Sequence, residues 1–222
     1  MSRNTTVTID GPASSGKTVV GKLVSKHLNY RFLDTGSMYR AITREALKKE
    51  INLDDDIALS QLAIDTDIKL IPQDISGLIL VNGKKLLHEL RDPDIDKSVS
   101  QVSSVSGVRT ALVKRQRMVC EEGEIVVVGR DIGTVVLPDA RIKIYLTASL
   151  EIRARRRHDE STSQEGRFDT KNIFEKLRKR DLVDSTRENS PLRPADDAVI
   201  IDTDNLSIEE VADIIVDLVG TS

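Results

Sequence analysis

The chain has 222 residues, 39% apolar and 31% charged, which is enough apolar material for one sizeable core and far from the make-up of a disordered chain. A net charge of −3, 3% aromatics and no Trp argue against a dedicated nucleic-acid binder, which shows a basic excess and stacking platforms. A single cysteine, Cys120, excludes an internal disulfide, and the longest apolar runs, such as Ile125 to Val128, are too short to span a bilayer.

Short β-rich runs alternate with helical periodicity, the pattern of a parallel sheet covered by helices. Thr6 to Asp10 reads as the first strand. Val19, Val20, Leu23, Val24, His27 and Leu28 follow at helical spacing as one apolar stripe, with His27 expected to pack. A strand over 30–33 and a helix over 37–49 come next. Asp67 to Leu70 and Leu78 to Val81 are β-like, and Asn82-Gly83 is a strong hairpin turn before Lys84 to Leu90, so a small antiparallel insertion is expected here. Val108, Ala111, Leu112, Arg115, Met118 and Val119 predict a long helix, with the Arg115 stem along its apolar edge and Cys120 a small buried hydrophobe. Glu124 to Val128 reads as a central strand, and 142–146 and 198–201 as two more. Ser207 to Glu210 has capping-box spacing ahead of a last helix expected to bury Val211, Ile214, Ile215 and Leu218. The stretch His158 to Asp169 is the best candidate for a mobile loop. No repeat or interdomain linker is present, and Met1 to Thr6 carry no hydrophobic segment resembling a signal peptide, so the expectation is one cytoplasmic domain over 1–222.

Gly11-Pro12-Ala13-Ser14-Ser15-Gly16-Lys17-Thr18 matches G-x-x-x-x-G-K-[ST] in full, between a strand and an amphipathic helix. Glycines at both ends allow the tight turn that points consecutive N–H groups at one anion, and the helix N-terminus adds its dipole. The loop is therefore expected to bind ATP, with the N–H of Val19 near the α-phosphate, Lys17 on the β- and γ-phosphates, and the Thr18 hydroxyl on Mg²⁺.

What becomes of the triphosphate is read from the remaining motifs. There is no N-K-x-D element of the kind that reads guanine in switch GTPases, and 222 residues is short for a motor. A small kinase fits. An acceptor that is itself a phosphate is already anionic and needs no general base, so its site should be rich in arginine. His27, His88 and His158 show no triad-like or metal-ligand spacing, whereas arginines recur in short polar motifs: Asp34 to Arg40, Gly129-Arg130-Asp131-Ile132-Gly133-Thr134, and Arg180 with Asp184 and Arg187.

At these motifs, and at Ser100-Gln101-Val102 with Val108-Arg109 and the segment Arg180 to Pro194, the chain resembles the bacterial-type cytidylate kinases over nearly its whole length. The resemblance implies a P-loop α/β fold with a central parallel sheet, a monophosphate-binding insertion over 65–103 made of a β hairpin and a helix, and a lid over 149–190. It implies that Arg40, Arg130 and Arg187 hold the acceptor phosphate of CMP or dCMP. Ser100, Arg109 and Asp131 would read cytosine, Arg180 and Asp184 would contact the sugar hydroxyls, and Thr35 and Tyr39 would line the same pocket. Arg153 and Arg157, in the run Arg153 to Arg157, would approach ATP, and a monomer is the family default. The base readout makes independent sense: an Asp carboxylate accepts well from the cytosine N4 amino group, where uracil presents another acceptor, and Arg109 can donate to N3 or O2. Ser14, Ser15 and Thr18 depart from the residues most common in the family's loop, although Thr18 keeps the metal-binding hydroxyl. Two other readings remain open: a P-loop kinase for another acceptor such as UMP or shikimate, and a binding module that holds ATP without transferring its phosphoryl group.

Overall fold

The computed structural model describes residues 6–71, 76–162 and 170–221. A five-stranded, wholly parallel sheet forms the centre, in the order β2-β6-β1-β7-β8. These strands are β1 (Thr6–Asp10), β2 (Arg31–Asp34), β6 (Ile125–Val128), β7 (Ile142–Thr147) and β8 (Val199–Asp202). β2 and β8 each start one residue later than expected, which brings Asp34 onto the carboxyl end of β2.

Every residue of β6 is buried, and the pleat sends alternate side chains to opposite layers. Val126 and Val128 join a core with α1 (Lys17–Leu28) and α8 (Ile208–Thr221), while Ile125 and Val127 join the larger core beneath α2 (Thr35–Lys48), α3 (Asp56–Asp65) and α5 (Ser106–Cys120). The insertion is a three-stranded antiparallel sheet of β3 (Ile68–Leu70), β4 (Ile79–Val81) and β5 (Lys84–Leu86), followed by α4 (Pro93–Ser104). Asn82 and Gly83 form its turn, both at positive φ (49° and 77°). Ile68, Ile79, Val81, Leu86 and Val99 belong to the larger core, so the insertion shares that core. Beyond β7, α6 (Leu150–Thr162) and α7 (Thr170–Thr186) pack through Ala154, Ile173 and Leu177 onto Ala13 of the loop after β1. The expected mobile stretch is helical up to Thr162, and residues 163–169 lie outside the described residues. No helix among the described residues is long and apolar enough to cross a membrane.

Three helices bury most of the stripe their apolar spacing suggests, but each turns the edge of that stripe outward. In α1, Val19 and His27 are exposed, and Val20, Gly21, Val24 and Ser25 face the sheet. The small residues win because the helix lies close: a Cβ on Gly21 would stand 2.6 Å from Val128 Cγ1 and 3.0 Å from Phe32 Cε2. In α5, Met118 is exposed, and Arg109, Leu112, Gln116 and Cys120 take the inward face. Burial pushes the Cys120 thiol up to about 12, as a small hydrophobe requires. Arg115 is half-buried and donates to the carbonyls of Ala63 (2.8 Å) and Ile64 (2.7 Å), satisfying the end of α3. In α8, Ile214 is exposed and Ala212 replaces it beside Val211 and Ile215. The capping box forms as expected, with Ser207 N–H donating to Glu210 (2.8 Å) and Glu210 N–H to Ser207 Oγ (3.1 Å).

Gly21→Val drives a branched side chain into this contact and is expected to cost about 3 kcal/mol. Thermal unfolding should read this as a fall in Tm of roughly 6–12 °C. A Tm within about 2 °C of the native protein would contradict the close approach.

Candidate active site

The carboxyl ends of β1, β2, β6 and β7 all open on one edge of the sheet, where α/β folds place their ligand crevice. β1 leads into the Gly11–Gly16 loop. Gly11 (φ 148°) is pressed against the Leu146 carbonyl and Gly16 (φ 93°) precedes α1 in a left-handed conformation, so both positions require glycine. Ser14 also has positive φ (58°), and Ser15 accepts from Lys17 Nζ at 3.2 Å, so the two departures in the loop shape its backbone and steady its lysine. Lys17 is buried, and desolvation, with Arg130 nearby, holds its pKa well below the usual value.

The Thr18 hydroxyl donates to Asp34 Oδ2 at 3.0 Å, and Asp34 Oδ1 accepts from Gly36 N–H as the N-cap of α2. This half-buried hydroxyl–carboxylate pair beside the phosphate loop offers hard oxygen donors of the kind Mg²⁺ takes. Among the described residues no cluster of three or more His, Cys, Asp or Glu is placed to hold a metal, so an ion here would complete its shell with water and substrate phosphates. Asp34 opens one of the polar motifs of the sequence, but its pairing with Thr18 is recognisable only from the structure.

A second group of charges lies beside the first. After β6 the chain runs through Gly129-Arg130-Asp131 into one wide π-turn over Ile132–Val136. Asp10 at the end of β1 fixes that turn, accepting from the N–H groups of Ile132 (2.9 Å) and Gly133 (2.7 Å). Burial raises the Asp10 pKa to about 6 despite these two bonds. Asp131 Oδ2 pairs with Arg109 Nη2, and both side chains are buried. Arg109 occupies the first turn of α5, where the helix dipole disfavours a cation. It is held there by Asp131, by the Ser103 carbonyl (3.1 Å) and by the Tyr39 ring 5.3 Å beneath its guanidinium. Arg187 lies 3.9 Å from Asp131 Oδ1 and 3.7 Å from Asp184 Oδ1, and donates to Ser190 O. Arg130 Nε donates to Asp184 at 3.0 Å. Burial would raise Asp184, but Arg130, Arg180 and Arg187 together hold it below the usual carboxylate value. Arg180 is half-buried with its Nε buried and unpartnered, and desolvation followed by Arg130 lowers it to about 10.

The structure thus gathers Arg109, Arg130, Asp131, Arg180, Asp184 and Arg187 into one group that reaches Lys17 electrostatically through Arg130 and Arg180. Thr35 lies at its edge, its hydroxyl donating to Val128 O (2.9 Å). Arg40 makes no hydrogen bond or ion pair with this group among the described residues but lies within electrostatic reach of Arg180; it donates to Leu90 O (3.1 Å) and pairs with Asp96 of α4, and Ser100 follows one turn after Asp96. Of the two arginines picked from the 153–157 run, Arg153 braces the loop: it donates to Ala13 O (3.2 Å) and Ala148 O (3.0 Å) and pairs with Asp181 (2.7 Å). Arg157 turns instead toward Asp96 (2.7 Å), while Arg156 donates to Thr203 and flanks Gly16.

Gln116 was not anticipated. Both of its amide atoms, the Tyr39 hydroxyl and Arg109 Nε are buried without a well-formed hydrogen bond. The signal for it was available in part, since a glutamine two turns after Arg109 on an inward helix face breaks an apolar stripe.

A model of the family described as cytidylate kinase matches residues 7–221. The chain belongs to the cytidylate kinase family. The cytidylate kinase of Bacillus velezensis is 44% identical over 219 residues, covering 99% of this chain and 98% of that one. That of Geobacillus thermodenitrificans is 45% identical over 220 residues, with 99% and 98% covered. Among solved structures, a shikimate kinase from Bacteroides thetaiotaomicron superposes with a TM-score of 0.51 at 11% identity, covering 97% of this chain and 98% of that one, which is a likeness of fold alone. Cytidylate kinases are nucleoside monophosphate kinases, and the two adjoining charged groups suit a family whose substrates are both phosphorylated.

Proposed function

We propose that this member of the cytidylate kinase family transfers the γ-phosphoryl group of ATP to CMP or dCMP, using the residues gathered at the carboxyl edge of the sheet. The observation that carries the reading is the nearness of two anion sites: the Lys17 loop and the Arg130–Arg180–Arg187 group share one electrostatic neighbourhood. A module that only held ATP would have no use for the second.

In this reading Gly11 to Val19 and Arg153 bind the triphosphate, with Arg153 keeping the loop in place from α6. Arg40, Arg130 and Arg187 hold the acceptor phosphate, Arg180 and Asp184 the sugar, and Asp131 with Arg109 and Ser100 the cytosine. Thr18 and Asp34 would hold Mg²⁺, which supplies charge neutralisation on the phosphates when bound. An acceptor phosphate oxygen, already ionised, attacks the γ-phosphorus in line as the bond to ADP breaks. No side chain has to remove a proton. Lys17 and the arginines offset the charge that keeps two phosphates apart, and their donors are fixed before the reaction begins. Residues 65–103 and 149–190 would close over the nucleotides and exclude water as a competing acceptor. The reading includes a monomeric, cytoplasmic enzyme.

ADP formation from ATP–Mg²⁺ should be measured with CMP, dCMP, UMP, AMP, GMP and shikimate against a blank without acceptor. Turnover with CMP and dCMP at least about tenfold above UMP is expected, as a site built around one hydrogen-bonding edge should give. Hydrolysis independent of acceptor, or turnover only with a non-pyrimidine, would refute it.

A further inference from the structure

Asp96 lies on α4, outside every motif that pointed to the site, yet arginines from two sides of the cleft meet on it. Its Oδ1 pairs with Arg40 Nη1 from α2, and its Oδ2 accepts from Arg157 Nη2 of α6 at 2.7 Å. Half-buried Arg180 of α7 also feels this carboxylate. Both contacts made by Arg40, to Asp96 and to the Leu90 carbonyl, fall on Nη1. Among the described residues its Nε and Nη2 make no hydrogen bond, so the guanidinium edge suited to a two-point grip on phosphate is left for a ligand. Arg157 is further tied to its own helix through Glu160 at 3.2 Å.

We propose that Asp96 is a positioning residue linking the triphosphate-side helix α6 to the acceptor arginine Arg40, so that ATP and the acceptor nucleotide tighten each other's binding. The inference rests on Arg40 holding the acceptor phosphate. The link is physical: a shift of α6 when ATP binds moves Arg157, and Arg157 shares one carboxylate with Arg40. A ligand that sets α6 therefore also sets the guanidinium edge offered to the acceptor, and the reverse must hold equally. If Asp96 instead acted as a stand-in for phosphate, it would have to occupy the edge that phosphate needs, and it occupies the other. The side chains are 20% (Arg40), 26% (Asp96) and 41% (Arg157) exposed, so the coupling belongs at the low end of the usual range, about fivefold.

The test is calorimetric titration of CMP with and without a saturating non-hydrolysable ATP analogue and Mg²⁺. In the native protein the analogue should tighten CMP about fivefold. In Asp96→Asn and in Arg157→Met this ratio should fall close to one, the double variant should be no worse than either single, and Asp96→Glu should restore part of it. A native ratio near one, an unchanged ratio in Asp96→Asn, or tighter CMP binding by Asp96→Asn without the analogue would each overturn the link. Arg40→Met, run alongside, separates the two claims. It should weaken CMP at least about tenfold, as loss of a charged phosphate contact does. Native-like CMP binding by that variant would fail the acceptor assignment itself, whereas weakened binding with an intact ratio in Asp96→Asn fails only the link.

Discussion

Lys17→Met should lower kcat by about 10²–10³-fold while leaving the KM for CMP nearly unchanged. The ammonium is buried, desolvated and already aimed by the loop, donating to Pro12 O at 2.5 Å and Ser15 Oγ at 3.2 Å. Such a donor needs little reorganisation when charge develops on the transferring group, and this is where fixed electrostatics acts most strongly. Met preserves the volume and removes a cation that burial disfavours, so the fold should not suffer and Tm should not fall. Steady-state kinetics with ATP–Mg²⁺ and CMP, together with thermal unfolding, check both halves. A kcat within about threefold of native, with the fold intact, would remove Lys17 from the chemistry.

The second large effect is expected at Asp131. Asp131→Asn should cut kcat/KM for CMP by about 10–100-fold and raise the relative use of UMP, because a charge-assisted acceptor becomes an amide that can present a donor to the uracil carbonyl. Asp131 is suited to this readout: Oδ2 is committed to Arg109, and Oδ1 lies 3.9 Å from Arg187, beyond hydrogen-bond range. The variant also leaves Arg109 and Arg187 buried together without the carboxylate between them. Breaking such a pair costs about 3 kcal/mol even when one hydrogen bond survives. Tm should therefore drop by roughly 6–12 °C, with assays run well below it. A CMP-to-UMP preference that stays the same or rises in Asp131→Asn would show that Asp131 only supports Arg109 and does not read the base.

Much of this protein was legible one segment at a time. The phosphate loop is a contiguous motif whose glycines answer to local backbone geometry, and Gly11 and Gly16 adopt the positive φ it demands. The Ser207–Glu210 capping box, the Asn82-Gly83 turn and the all-apolar β6 are likewise decided within a few residues. Apolar periodicity found α1, α5 and α8 and most of their core residues, but it missed α3 and α7 and misplaced the edges of the buried faces. It favoured Val19 and His27 over Gly21 and Ser25, because hydrophobicity cannot express how closely a helix approaches a sheet. It favoured Met118 over Gln116, because hydrophobicity alone does not anticipate a polar side chain on the inward face of a helix.

The site's residues divide in the same way. Arg130, Asp131, Arg180, Asp184 and Arg187 stand out in sequence as short polar motifs, but their partnerships do not. Arg109 meets Asp131 across 22 residues, Arg130 meets Asp184 across 54, and Arg40 and Arg157 meet Asp96 across 56 and 61. The partners of Asp10 and Asp34 become visible only when β1 and β2 end on either side of β6. Asp10 then holds the turn that carries Asp131, and Asp34 receives the Thr18 hydroxyl.

The sequence alone therefore determined the P-loop, the α/β alternation and the arginine-rich character of the acceptor side, because each depends on backbone geometry or side-chain chemistry within a short stretch. Only the tertiary structure decided which charges neutralise one another, where the buried helix faces end, and that Asp96 joins two sides of the cleft. Those outcomes depend on strand order and on the distance between packed elements, and both arise from the whole chain folding around one sheet.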